Sequence, residues 1–277
     1  MLSAVLLGTG SPLPSPTRAG PSTLIRADGR QFLVDCGRSV VMRMAAAGSL
    51  PLMVERVLLT HLHSDHICDL NDVVTTHWIM WGQPTALPVT GPAGTAPMVE
   101  GMLGMLAADI LYRLAHHADL TWGPQVDVVE AEPGVVFDDG RVRILAAGTD
   151  HRPVEPTLAY RVEAGGRSVV VAGDTVPCPS LDGLCAGADV YVQTVLREDL
   201  VRMVPSRRFA DTIDYHSTVE QAAQTAARAG VGTLVLTHQV PTPAAGSADE
   251  WTGLARRHFD GVIVFGEDLV EIAAGDP

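Results

Sequence analysis

The 277-residue chain lacks any apolar run long enough to cross a membrane. Its most apolar stretch, residues 40–57, is interrupted by Arg43, Gly48, Pro51 and Glu55, whereas a transmembrane helix needs about 20 predominantly apolar residues in succession. The N-terminus also has neither the basic start nor the apolar segment of a secretion signal. We therefore predict a protein without a membrane anchor that is located in the cytoplasm.

Basic residues are scarce and cysteines are few. Nineteen lysine and arginine residues stand against 32 aspartate and glutamate residues, which gives a formal net charge of -13. Such a charge repels polyanions on average and disfavours a broad nucleic-acid-binding surface. The four cysteines show neither the paired spacing of a zinc site nor the density of a disulfide scaffold, which indicates free thiols. A hydrophobic content of 47% excludes a largely disordered chain.

The sequence does contain many short apolar runs, often β-branched, separated by segments of helix length. Strands are predicted at residues 4–7, 23–25, 32–34, 56–59, 87–89, 142–145, 157–162, 168–171, 190–192, 233–236 and 262–265. Helices are predicted at residues 39–47, 67–81, 92–106, 180–186, 218–229 and 248–258. Because no repeat, linker or shift of composition divides the chain, we expect one layered α/β or α+β domain over residues 1–277, with helices covering the sheets.

The densest chemistry lies in the hexapeptide His61-Leu62-His63-Ser64-Asp65-His66, directly after a predicted strand. Three imidazoles and a carboxylate can converge on one or two cations, and this set of ligands suits zinc. His151, Asp174 and His238 also follow predicted strands, where layered α/β proteins collect their ligands. Each of these three has an ordinary structural interpretation when taken alone. In combination with the hexapeptide they predict a metal site.

The hexapeptide matches the HxHxDH motif of the metallo-β-lactamase superfamily, which the chain resembles from about Val5 to His238. Residues 8–12 (Gly-Thr-Gly-Ser-Pro), 34–37 (Val-Asp-Cys-Gly) and the segment that begins His216-Ser217-Thr218 narrow the resemblance to the ribonuclease Z and arylsulfatase-like branch. The resemblance implies an αββα sandwich of two mixed sheets flanked by helices. It also implies a centre of two zinc ions per chain at one edge, with Mn²⁺ or Fe²⁺ as alternatives.

The resemblance also assigns the metal ligands. They are, for one ion, His61, His63 and His151, and for the other, Asp65, His66 and His238, with Asp174 bridging the two. Two neighbouring divalent cations lower the pKa of a water between them and clamp a phosphoryl oxygen. Asp65 would orient that water or accept its proton. Asp35, at the end of a predicted strand, is expected to support a metal ligand rather than to bind metal itself.

His216 lies just before a predicted helix start, where Ser217 and Glu220 form a capping-box pattern. Backbone N–H groups at a helix N-terminus attract anions. The resemblance implies that His216 contacts the scissile phosphate or gives a proton to the leaving oxygen. The alternative is a histidine that only bonds to backbone beside the cap.

Two features depart from the ribonuclease Z pattern. Members of that branch usually carry a long arm that grips tRNA, whereas here residues 164–167 predict a short hairpin. They usually also have a glutamate that orients the histidine matched by His216, whereas here Gln193 and Thr194 follow the predicted strand. Glu198, Asp199 and Asp214 are the carboxylates that would have to replace it.

We predict from these residues a dinuclear zinc hydrolase that cleaves a phosphodiester, with ribonuclease Z-type processing of tRNA 3′ ends as the named activity. Arg197, Arg207 and Arg208 would guide the anionic substrate if they lie beside the metal site, and otherwise form ordinary solvated surface. An arylsulfatase or a small or cyclic-nucleotide phosphodiesterase stays open as an alternative, as does a metal-binding interaction protein without catalysis.

The resemblance further implies a homodimer. The stretch 76–81, which carries methionine and tryptophan, would form either an apolar contact between subunits or part of the core.

Overall fold

The computed structural model describes residues 1–275 and contains two mixed sheets of seven strands each. The strands of the first sheet are β1 (Leu2–Gly8), β2 (Ser22–Ala27), β3 (Arg30–Val34), β4 (Val54–Leu58), β5 (Ala86–Gly91), β6 (Gln125–Glu130) and β14 (Glu271–Ala273). The strands of the second sheet are β7 (Gly134–Asp138), β8 (Val142–Gly148), β9 (Leu158–Ala164), β10 (Arg167–Val171), β11 (Val190–Leu196), β12 (Thr233–Val240) and β13 (Val262–Phe265). Their spatial orders are β14-β1-β2-β3-β4-β5-β6 and β13-β12-β11-β10-β9-β8-β7.

Residues 1–275 contain ten α-helices, six of which cover the outer faces of the two sheets. The ten are α1 (Val40–Ala46), α2 (Ser64–Ile67), α3 (Leu70–Met80), α4 (Thr95–Met105), α5 (Ala107–His116), α6 (Pro179–Cys185), α7 (Glu198–Val201), α8 (Arg207–Ala210), α9 (Val219–Ala229) and α10 (Ala248–Arg256). The first sheet packs against α1, α3 and α4, and the second packs against α6, α9 and α10. The chain therefore forms the αββα sandwich that the resemblance implied. Over residues 1–275, no helix is long and apolar enough to span a membrane.

The sandwich has three apolar layers because neighbouring residues of a strand point to opposite faces of its sheet. In β1, Leu6 faces the second sheet, whereas Leu7 packs under the helices of the first. In β11, Val192 lies between the sheets, whereas Tyr191 contacts the outer helices. Strands buried on both faces read as nearly continuous apolar runs, and this is how the sequence pattern located them.

All eleven predicted strands are present, but the predicted helix 67–81 is interrupted. It is divided into α2 and α3 because the Asp69 N–H bonds to the carbonyl of Cys36, 3.0 Å away, instead of continuing the helical ladder. Six of the helices and strands in residues 1–275 were not predicted, namely α5, α7, α8, β6, β7 and β14. Residues 276 and 277, which belong to the predicted domain, lie outside the described residues.

The capping box of α9 is shifted by one residue from its predicted position. Thr218 accepts a hydrogen bond from the Gln221 N–H and Gln221 accepts one from the Thr218 N–H, so the predicted pair of Ser217 and Glu220 was wrong. Ser217 cannot serve as the cap because its hydroxyl donates to the Thr175 carbonyl, 2.7 Å away. The shift leaves His216 two residues before the cap.

Candidate metal centre

The predicted ligands come together from separate loops at one edge of the sandwich. His61 and His63 follow β4, Asp65 and His66 lie on α2, and the others follow or belong to β8, β10 and β12. Their ligating atoms form two groups, within each of which every atom lies within 4.8 Å of the others. The first group is His61, His63, His151 and Asp174, and the second is Asp65, His66 and His238. Asp174 falls in the first group here, whereas the resemblance implied a bridging position, and the role of all seven residues as metal ligands stays a prediction.

Asp174 lies between the two groups. Its Oδ2 is 3.8 Å from His61 Nε2 and 3.9 Å from His151 Nε2 on one side. On the other side it is 3.4 Å from His66 Nε2 and 3.6 Å from His238 Nε2. One carboxylate oxygen within reach of four imidazole nitrogens has the position of a bridging ligand.

Asp35 orients two of the rings from behind. It accepts hydrogen bonds from the Thr60 N–H and hydroxyl, and its Oδ2 lies 2.8 Å from His66 Nδ1. The Thr60 hydroxyl in turn lies 3.0 Å from His61 Nδ1. These contacts place the Nδ1–H of both rings outward and turn each Nε2 lone pair toward the centre. Asp35 thus contacts His66 directly and His61 through Thr60, and its role of supporting metal ligands stays a prediction.

The third ring of the first group is held by backbone. His151 Nδ1 donates to the carbonyl of Tyr215, 2.8 Å away, so its Nε2 also faces inward. The Nε2 of His61 and of His151 both approach His63 Nδ1, at 3.1 and 3.4 Å. These three nitrogens are close enough together to bind one divalent cation.

Two site residues have strained backbones. Asp35 and His238 have φ angles of 60° and 45°, in the left-handed region that residues other than glycine rarely adopt. Such a conformation costs of the order of 1–3 kcal/mol and persists where the surrounding structure enforces it, frequently at active sites. In both cases the strained residue turns its side chain toward the metal ligands.

The donor set fits divalent metal ions. His66 Nε2 and Asp174 Oδ1 are buried and have no hydrogen-bond partner among the described residues. A buried polar atom without a partner costs about 1–3 kcal/mol, and a cation between the two groups would satisfy both. Imidazole nitrogens with a shared carboxylate are the ligands that zinc prefers, although iron and manganese use related sets.

The electrostatics keep the central carboxylate ionised. Burial alone would raise the pKa of Asp174, but His238, His66 and His216 hold it well below its usual range. Burial would lower the pKa of His66, yet Asp174 and Asp35 raise it well above its usual value. By contrast, burial lowers the pKa of His61, and neighbouring His66 lowers it further. Negative charge is therefore concentrated between the two groups, where a bound cation would neutralise it.

His216 is buried beside this cluster. Its Nδ1 donates to the Thr212 carbonyl, 2.9 Å away, and its Nε2 lies 3.2 Å from Asp174 Oδ2. None of the three carboxylates that were expected to orient the ring bonds to it in residues 1–275. Instead, Glu198 pairs with Arg202 and Asp199 pairs with Arg197.

Comparison with known proteins identifies the family. A profile described as a beta-lactamase superfamily domain matches residues 30–239. Ribonuclease Z of Mycolicibacterium paratuberculosis is 54% identical over 279 residues and aligns over 100% of both chains. Ribonuclease Z of Mycobacterium marinum is 55% identical over 278 residues, covering 99% of this chain and 100% of the relative. The chain belongs to the ribonuclease Z family.

Solved structures agree on the fold. The metallo-beta-lactamase fold protein YhfI from Bacillus subtilis superposes with a TM-score of 0.77 at 20% identity, covering 99% of this chain and 100% of that one. Human tRNase Z, short form, superposes with a TM-score of 0.71 at 22% identity, with the same coverage of 99% and 100%. At these identities the likeness establishes the αββα sandwich alone.

The two departures from the ribonuclease Z pattern are visible in the structure. Strands β9 and β10 pair directly as a hairpin with Gly165 and Gly166 at its turn, and no arm extends between them. Gln193 and Thr194 stand where the pair with the orienting glutamate was expected; the Gln193 amide donates to the Thr194 carbonyl and its oxygen accepts from the Tyr191 hydroxyl. The Nδ1 of His216 instead donates to the backbone carbonyl of Thr212, which orients the ring.

A cavity of about 160 Å³ opens beside the cluster. Its walls include Pro12 and Leu13 on one segment and Phe209 and Tyr215 on another, with His216 at its inner end. These apolar walls were not predicted from the sequence. Neither were the backbone carbonyls that orient the rings of His151 and His216. For the wall, the signal in the sequence was that Tyr215 directly precedes His216. For the carbonyls there was none, because every residue has a backbone carbonyl whatever its side chain.

The three predicted substrate arginines differ in their surroundings. Arg197 is only 8% exposed, makes a bidentate pair with Asp199 and lies over the Trp251 ring at 5.6 Å. Its guanidinium is thus engaged within the protein. Arg207 and Arg208 are exposed and directly precede Phe209, which lines the cavity.

Proposed function

We propose that this chain is a metal-dependent endonuclease that cleaves a phosphodiester at the 3′ end of precursor tRNA, with two zinc ions per chain. The observation that carries the proposal is the position of Asp174 Oδ2 between the imidazoles of two ligand groups. The names of the relatives supply the substrate, since proteins 54–55% identical over almost the whole chain are ribonuclease Z. A cytoplasmic location stays a prediction from the sequence.

The chain's residues divide the chemistry among themselves. When bound, two divalent metals supply a nucleophile at neutral pH and stabilise charge on the phosphoryl oxygens. Asp65, whose Oδ2 lies 3.2 Å from His238 Nε2, orients the attacking water and accepts its proton. His216 holds a proton at Nε2, next to the cavity, for transfer to the leaving oxygen. The Thr212 carbonyl keeps that ring in place through Nδ1.

A second candidate is a small substrate, such as a cyclic nucleotide or an aryl sulfate. The direct hairpin at Gly165–Gly166 and the cavity of about 160 Å³ favour it, because neither offers a long contact surface for tRNA.

The rates of zinc-loaded protein on a precursor tRNA, bis(p-nitrophenyl) phosphate, cyclic AMP and p-nitrophenyl sulfate separate the candidates. We expect cleavage of the tRNA and of the diester. Hydrolysis of the sulfate or the cyclic nucleotide alone would replace the proposal by the second candidate. Two bound metals with no hydrolysis of any of the four would instead support a non-catalytic interaction protein.

We also propose a homodimer that uses the outer face of α3 and α5. Leu111 and Tyr112 on α5 are 65% and 72% exposed, and Ile79 and Met80 at the end of α3 are 43% and 42% exposed. Contiguous exposed apolar side chains of this size are typical of protein interfaces. Within the stretch 76–81, only Trp78 and its buried neighbour His77 belong to the core. The molar mass in solution tests the dimer, and Leu111→Glu is expected to give a monomer.

A further inference from the structure

The distribution of unpaired positive charge is uneven over the molecule. The sequence contains no lysine, so all nineteen basic residues are arginine. In residues 1–275, twelve of them have a carboxylate oxygen within 4.0 Å. Arg18, Arg56 and Arg256 donate instead to hydroxyl, amide or carbonyl oxygens. The arginines that remain are Arg38, whose one side-chain hydrogen bond in the described residues is a long contact with a carbonyl, and Arg207, Arg208 and Arg257. All four are exposed.

Three of these four arginines lie beside the cavity of the metal centre. The Nη2 of Arg38 is 3.5 Å from the carbonyl of Pro12, which lines one wall. Arg207 and Arg208 directly precede Phe209, which lines another. Arg257 directly follows α10, and neither it nor its neighbours Arg256 and His258 line this cavity. Of the four exposed guanidinium groups with neither a carboxylate nor a short hydrogen bond in residues 1–275, three therefore lie at one opening.

We propose that Arg38 and the Arg207–Arg208 pair bind the phosphates next to the scissile phosphate in a single strand of RNA. This inference rests on the proposed function and adds the residues that hold the strand. Guanidinium groups bind phosphate oxygens in a bidentate manner. The three arginines are exposed and lie next to wall residues of a small cavity that they do not themselves line, Arg38 beside Pro12 and Arg207–Arg208 beside Phe209. They would therefore meet neighbouring phosphates rather than the one inside the cavity.

Nearby acidic residues shape how this binding works. Asp211 and Asp214 follow Arg207 and Arg208 in the chain, and neither is within ion-pair distance of them in the part that the structure describes. Their negative charges reduce the positive electrostatic potential of the segment at long range, but they form no ion pair with its guanidinium groups. The attraction for RNA is therefore expected to be short in range and strongly dependent on salt.

The test is the salt dependence of RNA binding to zinc-loaded protein. The probe is a fluorescent single-stranded 12-nucleotide RNA with 2′-O-methyl sugars, and its anisotropy is measured between 25 and 200 mM salt. For single strands, log K falls against log salt with a slope of about 0.7 per neutralised phosphate. Arg38→Gln is expected to reduce that slope by about 0.7 and the affinity by about three- to fivefold. The double variant Arg207→Gln/Arg208→Gln is expected to reduce the slope by about 1.4.

Arg257→Gln is the matched control, because it removes the same charge from an exposed arginine away from the cavity. Its slope and affinity are expected to equal those of the unmodified protein. An equal loss in Arg257→Gln would overturn the proposal by showing a bulk charge effect, as would unchanged slopes in the other two variants. Zinc content is measured for each variant, so that a damaged site is recognised. Binding is measured without cleavage, so a protein that binds RNA through these arginines but cuts nothing would refute the proposed function and leave this inference standing.

Discussion

Asp35 shows how a residue outside the ligand set controls the metal centre. Its two oxygens accept from the Thr60 N–H, from the Thr60 hydroxyl and from His66 Nδ1, all at 2.8 Å. Through Thr60 the same carboxylate also reaches His61. One buried acid thus orients one ring in each of the two ligand groups, and this coupling explains why its backbone is held at a positive φ.

Asp35→Asn is expected to lower zinc affinity by about 10–100-fold, because an amide N–H would face the Nδ1–H of His66 in place of an acceptor. Competition with a chromophoric chelator measures the affinity. Asp72→Asn, an exposed change on α3, serves as the control and should leave the affinity unchanged. Equal affinities for the Asp35 variant and the unmodified protein would refute the supporting role.

His216→Ala is expected to lower kcat on a precursor tRNA by about 10²–10⁴-fold, the contribution of a positioned general acid. Zinc content should stay at two ions per chain, since the His216 ring approaches Asp174 but belongs to neither ligand group. Kinetics and metal analysis on the same preparation test both statements. Loss of zinc in this variant would show that His216 is a ligand and that its assigned role is wrong.

The residue types of the centre were readable from the sequence, whereas its supports were only partly so. The seven candidate ligands stood out because each follows a predicted strand or falls within the hexapeptide, and Asp35 because it ends a predicted strand. The carbonyls of Thr212 and Tyr215 could not be predicted, since every residue has a carbonyl and only the folded 3₁₀ turn Asp211–Asp214 aims them at the rings. For the same reason the loss of the expected glutamate gave no hint of its replacement.

At the scale of elements, the loop between β1 and β2 is tied down at both ends by one side chain. Asp268 accepts hydrogen bonds from the Thr9 N–H and hydroxyl at 3.0 and 2.8 Å, and from the Ala19 N–H at 2.7 Å. The middle of this loop supplies Pro12 and Leu13 to the cavity wall. A residue near the C-terminus therefore fixes a wall of the site.

Asp268→Ala is expected to loosen this loop by about 1–3 kcal/mol, because three hydrogen bonds are lost. Hydrogen exchange of residues 10–19 should accelerate, and KM for a precursor tRNA should rise more than kcat falls. Glu267→Ala, an exposed change next to it, is the matched control. Unchanged exchange in residues 10–19 would show that Asp268 does not hold the loop.

Most of the elements missing from the prediction lie at exposed margins of the fold. Helices α7 and α8 have only four residues each, too few to show a helical period in the sequence. Strands β6 and β7 are outermost in their sheets and largely exposed, and β14 has only three residues, so none gives the apolar run of a buried strand. Helix α5 contains no buried residue, although its sequence is amphipathic. The central strands are buried on both faces, so each gives an apolar run that can be recognised in the sequence. The exposed elements at the margins of the fold give no such run and were therefore missed.

At the scale of the whole molecule, one apolar layer joins both sheets. Leu6 and Phe32 of the first sheet pack in the same cluster as Tyr160 and Val192 of the second. Strand β14 near the C-terminus pairs with β1 at the N-terminus, which closes the chain on itself. We infer from this shared core that residues 1–275 form a single domain.

A single domain is expected to lose secondary and tertiary structure together. Far-ultraviolet circular dichroism and tryptophan fluorescence, followed in a urea titration at fixed zinc concentration, should give coincident transitions. Two separated transitions would show that the two halves of the sandwich unfold independently and would contradict the inference.

The net charge of -13 limits how the molecule can contact RNA. Asp65 and Asp174 belong to the ligand cluster, and most arginines are paired with other carboxylates. The acidic surface opposes broad contact with tRNA, whereas the unpaired arginines by the cavity permit contact with a short stretch of backbone. Substrate recognition is therefore expected to be confined to the neighbourhood of the cut.

The most direct test of the account combines metal analysis with cleavage of a precursor tRNA by the same preparation. The account predicts two zinc ions per chain and a single cut in the 3′ trailer region, abolished by chelation and restored by added zinc. A protein that carries two zinc ions, hydrolyses no phosphodiester and leaves the precursor intact would contradict it.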